Sequence, residues 1–266
     1  MNIQYVLWLI CLCYVINPCY DQQVLADIQN YFNDHTETGS YRDTEQWLDY
    51  PNNLADYPGV IIGQDCSQCQ QLFNEKWQYR KLTYEILCSK QDMLAEMVYC
   101  LALFSHDLNK TISLEKFKKG AQGFHYSIDQ VVEWANAVTN NPRHFFKIAF
   151  EKMFFDLLQK DKVIIKKNGF FEPADQILHV LGVSSGTKRT IEFNLNHERI
   201  HIFWDQNSAF REYYIEKWNR LSSEEKQESI QALKGYNTEN ELLMIEEWTV
   251  RQNESVSIME LSKKWK

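Results

Sequence analysis

The residues most capable of chemistry in this chain form one short stretch, His197-Glu198-Arg199-Ile200-His201. On an α-helix, two residues four positions apart are separated by roughly 40° around the axis and about 6 Å along it. Both imidazoles therefore share one face and can reach a single Zn²⁺ at about 2.0–2.1 Å. Glu198 lies beside such an ion without having to bind it, where it can take a proton from metal-bound water. The spacing predicts a zinc site with Glu198 as the general base.

A catalytic zinc ion needs a third protein ligand and keeps a fourth position open for water. The continuation H-x-x-G-x-x-H would supply a third histidine, but Trp204 and Asn207 stand at the two positions that this pattern requires. The third ligand must therefore come from another segment. The helix predicted over residues 238–256 offers several carboxylates: Glu239, Glu241, Glu246 and Glu247.

The motif helix and this downstream helix together resemble the gluzincin branch of the zincin metallopeptidases, in which a Glu on a downstream helix completes the zinc site. The resemblance covers only the C-terminal part of the chain. It implies a set of site residues: the zinc ligands His197, His201 and Glu247, the general base Glu198, and Glu246 as the alternative ligand.

The chain departs from that family's pattern at the downstream helix. The expected Glu-x-x-x-Asp is absent, because Arg251 stands four residues after Glu247 and Val250 four residues after Glu246. We expect Asp205, one turn after the motif, to orient a histidine instead by accepting its free imidazole N–H. Donors for a developing oxyanion are available but not distinguished by spacing: Tyr213, Tyr214, Tyr236 and His179.

The composition is that of a folded protein. The chain has 266 residues, of which 44% are hydrophobic, and a formal net charge of −8 at pH 7. This length allows one large domain or two small ones. Because the chain is acidic and has no long basic run, we expect no nucleic-acid partner and no binding to anionic membranes.

The N-terminus predicts export. Residues 6–16 form an uninterrupted apolar run, VLWLICLCYVI. A membrane-spanning helix needs about 20 apolar residues, so the run is too short to span a bilayer but fits the apolar core of a secretory signal. We expect a signal peptide over residues 1–19, no stable membrane span after its removal, and a secreted or extracytoplasmic protein. An uncleaved anchor and a buried N-terminal helix are the alternatives.

The cysteines agree with an oxidising compartment. After the predicted signal, four remain within a short span: Cys66, Cys69, Cys88 and Cys100. We expect two disulfides, with Cys66 and Cys69 each bridging to one of the other two. A four-cysteine zinc site is the alternative, although a single C-x-x-C without a second one is weak support for it.

The fold class that we expect is α+β and predominantly α-helical, with a small sheet in a zincin-like C-terminal half. A helical region with paired cysteines (20–160) and the metal-binding region (161–266) would form one continuous globular unit. Apolar periodicity predicts these elements: helices over 81–104, 126–139, 143–159, 209–221, 222–233 and 238–256, a hairpin over 162–171 and a half-buried strand over 190–196. Asn194 or Asn196 is the alternative cap of the motif helix.

A second short motif, Gly182-Val183-Ser184-Ser185-Gly186, matches G-x-S-x-G. A nucleophilic serine in this motif requires a following helix, then an acid and a histidine, in a large α/β sheet. Because residues 187–190 are polar and the N-terminal half is predicted to be helical, we interpret this motif as a turn.

The combined prediction is a secreted zinc-dependent metallopeptidase that hydrolyses peptide bonds in a peptide or protein substrate through a zinc-activated water. The alternative is a non-catalytic extracytoplasmic binding protein that holds zinc structurally or carries the motif as a relic. Stoichiometric zinc with an open fourth position favours the enzyme, whereas a closed site favours the binding protein.

Overall fold

The structure is a computed structural model that describes residues 60–62, 77–88, 90–140, 148–174, 176–184 and 186–266. The predicted signal peptide and the segment that carries Cys66 and Cys69 lie outside these residues, so the corresponding predictions stay predictions. In the part of the chain that is described, no helix is both long and apolar enough to cross a membrane.

The predicted fold class is confirmed: the structure is α+β and predominantly helical, with a small mixed sheet. In chain order its helices and strands are β1 (Val60–Ile62), β2 (Thr83–Cys88), α1 (Gln91–Phe104), α2 (Leu114–Lys118), β3 (Gly123–Ser127), α3 (Ile128–Asn140), α4 (Ala149–Lys160), β4 (Ile164–Lys167), β5 (Phe170–Pro173), β6 (His179–Ser184), α5 (Lys188–Gln206), α6 (Ser208–Asn219), α7 (Ser223–Ala232), α8 (Glu241–Asn253) and α9 (Ile258–Lys264).

The main sheet has the strand order β1-β2-β6-β3. β2 and β6 are parallel to each other in the centre, while β1 and β3 run antiparallel at the two edges. A parallel strand that is covered on both faces is buried along its whole length, without the alternation of buried and exposed residues that marks a half-exposed strand. Every residue of β2 is buried. For this reason the prediction of a helix from residue 81 was wrong at its start, and the helix begins only at Gln91.

The sheet separates two hydrophobic clusters, and neighbouring residues of a strand enter opposite ones. On β6, Val180 packs in the cluster formed with α1, α3 and α4, whereas Leu181 packs in the cluster formed with α5, α6 and α8. Side chains alternate along a strand. His179 is therefore on the α5 face of the sheet with Leu181, and His125 of β3 is on the face opposite to Phe124.

The strand predicted over residues 190–196 was wrong, because these residues belong to α5. The Thr187 hydroxyl caps this helix by accepting a hydrogen bond from the backbone N–H of Thr190 at 3.2 Å. Ile191 and Leu195 are buried, while Phe193 between them is exposed. Two apolar residues four positions apart satisfy both a helical and a two-residue period, so the short window did not separate helix from strand.

A buried ion pair fixes α5 to the sheet. Arg199, inside the motif, donates from Nε and Nη2 to Oε1 and Oε2 of Glu85 on β2, at 3.1 and 3.0 Å. Both side chains are almost fully buried. Removing one member of such a pair typically costs about 3–5 kcal/mol, because the other charge stays buried without compensation. The pair therefore holds the motif helix in one position on the sheet.

The predicted hairpin is confirmed. β4 and β5 pair antiparallel around Asn168 and Gly169, which have φ angles of 53° and 89°. Positive φ at both central residues is the requirement of a type I′ turn, which Asn-Gly meets at low cost.

Cys88 is buried on β2 with its Sγ 3.5 Å from Met97 Sδ, and its thiol is free among the described residues. The partners predicted for its disulfide lie outside those residues. Ser184, in the G-x-S-x-G motif, ends β6 and donates its hydroxyl to the backbone carbonyl of Gln122 at 3.3 Å. Helix α5 begins at Lys188, closer to this motif than we predicted.

Candidate metal centre

The three predicted ligands meet between α5 and α8. One ring nitrogen of His197, one of His201 and one carboxylate oxygen of Glu247 lie within 4.8 Å of one another. His201 Nε2 is 3.7 Å from Glu247 Oε1. Two ligand atoms that each lie about 2.1 Å from a tetrahedral zinc ion are roughly 3.4 Å apart. The spacing of these residues therefore fits one ion.

Glu247 also carries an unpaired buried atom. Its Oε2 is buried and has no hydrogen-bond partner among the described residues. A buried carboxylate oxygen without a partner is costly, and a cation at this position satisfies it. This observation favours Glu247 over Glu246 as the third ligand.

Each histidine is held from behind by a carboxylate. His201 Nδ1 lies 2.7 Å from Glu246 Oε1, and His197 Nδ1 lies 3.2 Å from Glu254 Oε2. When Nδ1–H donates to the carboxylate, the Nε2 lone pair of each ring is left for a metal. Metal-binding histidines usually have such an acceptor, because it fixes the tautomer and the orientation of the ring.

The prediction that Asp205 orients a motif histidine was wrong, because Glu246 occupies that position at His201. Asp205 Oδ2 lies instead 3.6 Å from His125 Nε2 and 3.8 Å from His179 Nδ1. Both of these histidines lie on strands of the sheet, toward which the last turn of α5 directs the Asp205 side chain.

Glu254 supplies the carboxylate behind His197 from the end of the downstream helix. It is the C-cap residue of α8 and follows Glu247 by seven positions, which is nearly two full turns and therefore the same face. Asn196, next to His197, donates from Nδ2 to the Glu254 carbonyl at 3.1 Å and accepts from the Ile258 N–H at 2.8 Å. These bonds hold Glu254 against the motif helix.

Replacing Glu254 with Gln should weaken zinc binding by about 10–100-fold, because the amide holds His197 less firmly and no longer increases its basicity. Zinc titration against a competing chelator measures the change. Glu239→Gln, at an exposed position before α8, is the matched control. Equal zinc affinity in Glu254→Gln and the wild type would contradict this role.

Glu198 lies beside the ligand group, against the edge strand. A Cβ at Gly123 of β3 would be 2.2 Å from Glu198 Oε1 and 2.8 Å from its Cδ, so a larger residue would displace the carboxyl group. Only 7% of Glu198 is exposed. The absence of a side chain at position 123 therefore creates the space that the predicted general base occupies.

The electrostatics of the centre suit a cation. Burial, reinforced by the charges of Glu247 and Glu246, raises the pKa of the Glu198 carboxyl well above its usual value. Burial raises the pKa of Glu247 to about 7 against the opposing effect of His201. Burial also lowers the pKa of His197 to about 3, so its ring is neutral, which is the form that binds metals. The neutral His197 ring and the crowded carboxyl groups of Glu198 and Glu247 together favour a divalent ion.

The centre opens into a cavity of about 1040 Å³. The cavity is lined by β3, by the motif face of α5, by α8 and by the turn that contains Tyr236. Ligand sites in proteins typically have volumes of about 300–1,000 Å³. The cavity therefore has room for several residues of a peptide beside the three ligands.

The four oxyanion donors that the sequence offered have different locations. Tyr213 is exposed beside Trp265, and the Tyr214 hydroxyl donates to Asn253 at 2.8 Å. Tyr236 lines the cavity and is near enough to Glu247 for each group to shift the pKa of the other. His179 also lines the cavity. Tyr236 is therefore the tyrosine of this set that lies near a predicted ligand.

Sequence reasoning missed three residues of the centre: His125, Gly123 and Glu254. The helix predicted from residue 126 begins only at Ile128, and the alternation of aromatic and other residues over Gly123–Ser127 fits the edge strand that this segment forms. Glu254 was missed because the expected spacing from Glu247 was four residues and not seven.

Comparison of the chain with protein-family models, curated proteins and solved structures finds no match in any of the three.

Proposed function

We propose that the chain is a secreted zinc-dependent metallopeptidase with His197, His201 and Glu247 as zinc ligands and Glu198 as general base. The observation that carries this proposal is the convergence of the three ligands, with Glu198 beside them, on the wall of one cavity. Zinc bound there would supply Lewis acidity, because it polarises a scissile carbonyl and lowers the pKa of a coordinated water to about 7.

The protein's own residues perform the proton transfers. Glu198 accepts the proton of the attacking water and then passes it to the leaving amine. Burial, reinforced by the charges of Glu247 and Glu246, raises the pKa of Glu198, which makes this carboxylate a stronger proton acceptor. Glu246 and Glu254 fix the two imidazoles, so Glu198 and the ligands keep a constant geometry.

An extended peptide is the substrate class that suits the cavity wall. Among the described residues β3 pairs with β6 alone, and its residues Gly123–Ser127 line the cavity. An edge strand offers backbone N–H and C=O groups to which an extended peptide can add as a further strand. A peptide that binds along β3 passes beside Glu198, because Glu198 packs against Gly123.

The test is digestion of a library of unstructured peptides by the purified chain, first stripped of metal by a chelator and then reloaded with Zn²⁺. We expect new peptide termini, detected by mass spectrometry, only with the reloaded protein. Zinc-loaded Glu198→Gln protein, prepared in the same way, controls for a contaminating protease. A chain that holds stoichiometric zinc and cleaves no peptide would contradict the proposal and support a binding protein.

Replacing Gly123 with Ala should lower peptide turnover by about 10²-fold and leave zinc content unchanged. The new Cβ, 2.2 Å from Glu198 Oε1, forces the carboxyl group to move, and a displacement of about 1 Å at a reacting group can have an effect of this size. The matched control is Gly120→Ala, since its Cβ would meet nothing closer than 3.9 Å. Unchanged kcat in Gly123→Ala would show that Glu198 does not depend on this space.

A further inference from the structure

Three more metal-binding side chains converge next to the proposed zinc site. His125 comes from β3, His179 from β6 and Asp205 from the last turn of α5. His125 Nε2 lies 3.0 Å from His179 Nδ1 and 3.6 Å from Asp205 Oδ2. His179 Nδ1 lies 3.8 Å from the same Asp205 oxygen. One atom from each residue therefore contributes to a compact triangle.

The size of this triangle is close to what a single ion requires. Ligand atoms at about 2.0–2.2 Å from a tetrahedral ion are roughly 3.3–3.6 Å apart. This range holds for both nitrogen and oxygen ligands. The three observed distances, 3.0, 3.6 and 3.8 Å, are close to it, so the two imidazoles and the carboxylate need little movement to bind one ion.

Hydrogen bonding alone leaves the triangle unsatisfied. The His125 and His179 side chains are 7% and 3% exposed, and such burial favours neutral imidazoles. A single N–H forms the hydrogen bond between the two rings. The nitrogen that accepts this hydrogen bond has no N–H of its own to donate, so Asp205 Oδ2 gains no hydrogen bond from it. A cation at the centre satisfies all three lone pairs.

Neighbouring groups hold the two rings in the orientation that binding requires. The amide nitrogen of Gln206, Nε2, lies 2.8 Å from His179 Nε2. Turning this amide over by 180° presents its oxygen to an Nε2–H when Nδ1 binds an ion, as metal-binding histidines require. The His125 ring stacks on the His201 ring, with centroids 5.9 Å apart and an interplanar angle of 16°.

We propose that His125, His179 and Asp205 form a second divalent-cation site in the same cavity, beyond the proposed peptidase function and independent of it. Two imidazoles and one carboxylate favour Zn²⁺ or a neighbouring first-row ion over Mg²⁺ and Ca²⁺, which prefer oxygen ligands. The ion links the edge strand β3 to β6 and to α5, and so ties together one wall of the cavity. The Asp205 side chain is 32% exposed, which leaves the ion accessible to a further ligand.

A third grouping, His125 with His201 and Glu246, also lies within 4.8 Å. It shares one histidine with each of the two sites. However, His201 Nδ1 and Glu246 Oε1 already form a direct contact of 2.7 Å, so this pair is satisfied without an ion. The geometry therefore favours one ion on each side of the His201–Glu246 pair.

The test counts zinc per folded chain by elemental analysis after equilibration with Zn²⁺ and removal of the excess. The full chain is expected to hold two ions, His179→Ala one, His197→Ala one, and the double variant none. His106→Ala, which removes an exposed histidine, should keep two. Circular dichroism checks that each variant is folded. Asp205→Asn, at a partly exposed position, should also reduce the count to one and replaces His179→Ala if that variant does not fold.

Retention of the same zinc content by His179→Ala and Asp205→Asn would overturn the second site. So would an ion that the double variant of His179→Ala and His197→Ala retains, because His125, His201 and Glu246 of the middle group are intact there. The test is separable from the peptidase proposal. If the His197→Ala variant keeps one ion and the zinc-loaded wild-type chain cleaves no peptide, the second site is supported while the proposed function fails.

Discussion

Replacing Glu198 with Gln is expected to lower peptide turnover by about 10²–10⁴-fold while the zinc content stays the same. Gln has the shape of Glu but cannot accept the proton of the attacking water. Metal binding should persist, because Glu198 is not part of the group formed by His197, His201 and Glu247. Peptide cleavage by the zinc-loaded variant and elemental analysis of the same sample measure the two quantities together.

Glu192→Gln is the matched control for this variant, because Glu192 is an exposed residue on the same helix and is not part of the cavity lining. Its turnover and zinc content should both match the wild type. Equal turnover in Glu198→Gln and the wild type would exclude Glu198 as the general base. Loss of zinc in Glu198→Gln would show instead that Glu198 acts as a ligand.

Replacing Glu247 with Gln is expected to weaken zinc binding by more than 100-fold. The change removes a charged ligand and a carboxylate whose Oε2 has no other partner among the described residues. Removing a carboxylate that only orients a histidine typically costs about 10–100-fold in affinity, so a ligand should cost more. Titration with Zn²⁺ against a competing chelator measures the affinity of this variant and of the wild type.

Glu246→Gln is the neighbouring comparison, since Glu246 contacts His201 Nδ1 and not the ligand side of the ring. Its effect should stay in the smaller range. If Glu246→Gln loses more affinity than Glu247→Gln, the two acids have exchanged roles and the third ligand is Glu246. The order of these two affinities therefore decides which acid binds the metal.

The helical part of the site could be predicted because its signals are local. His197, Glu198 and His201 lie within five residues. The two histidines are about one helical turn apart, so they lie on the same face of the helix. Glu247 was expected on a separate helix through a family resemblance, and the structure brings it next to His201. The carboxylates behind the histidines depend on how α5 and α8 pack, which no local pattern records.

The sheet was harder to predict than the helices. β2 and β6 are buried along their whole length, so neither strand has the alternation of buried and exposed residues that identifies a half-exposed strand. The His125–His179 pair requires the register of β3 on β6, in which His125 lies opposite Leu181 and Ser127 opposite His179. A sequence pattern contains no information about such pairing until both strands are recognised.

The start of the motif helix was also difficult to predict from the local sequence. Ile191 and Leu195 fit either period, and the cap at Thr187 is a local signal that favours the helix. The contact between Gly123 and Glu198 is likewise tertiary, because a strand and a helix far apart in sequence meet there. Local chemistry was therefore predictable, while its supporting contacts were not.

The most direct test of the central claim is a zinc-edge anomalous diffraction map from crystals of the zinc-loaded chain. We expect a peak at about 2.0–2.2 Å from a ring nitrogen of His197, from His201 Nε2 and from a carboxylate oxygen of Glu247. A zinc-loaded crystal with no peak between these three residues would contradict the account.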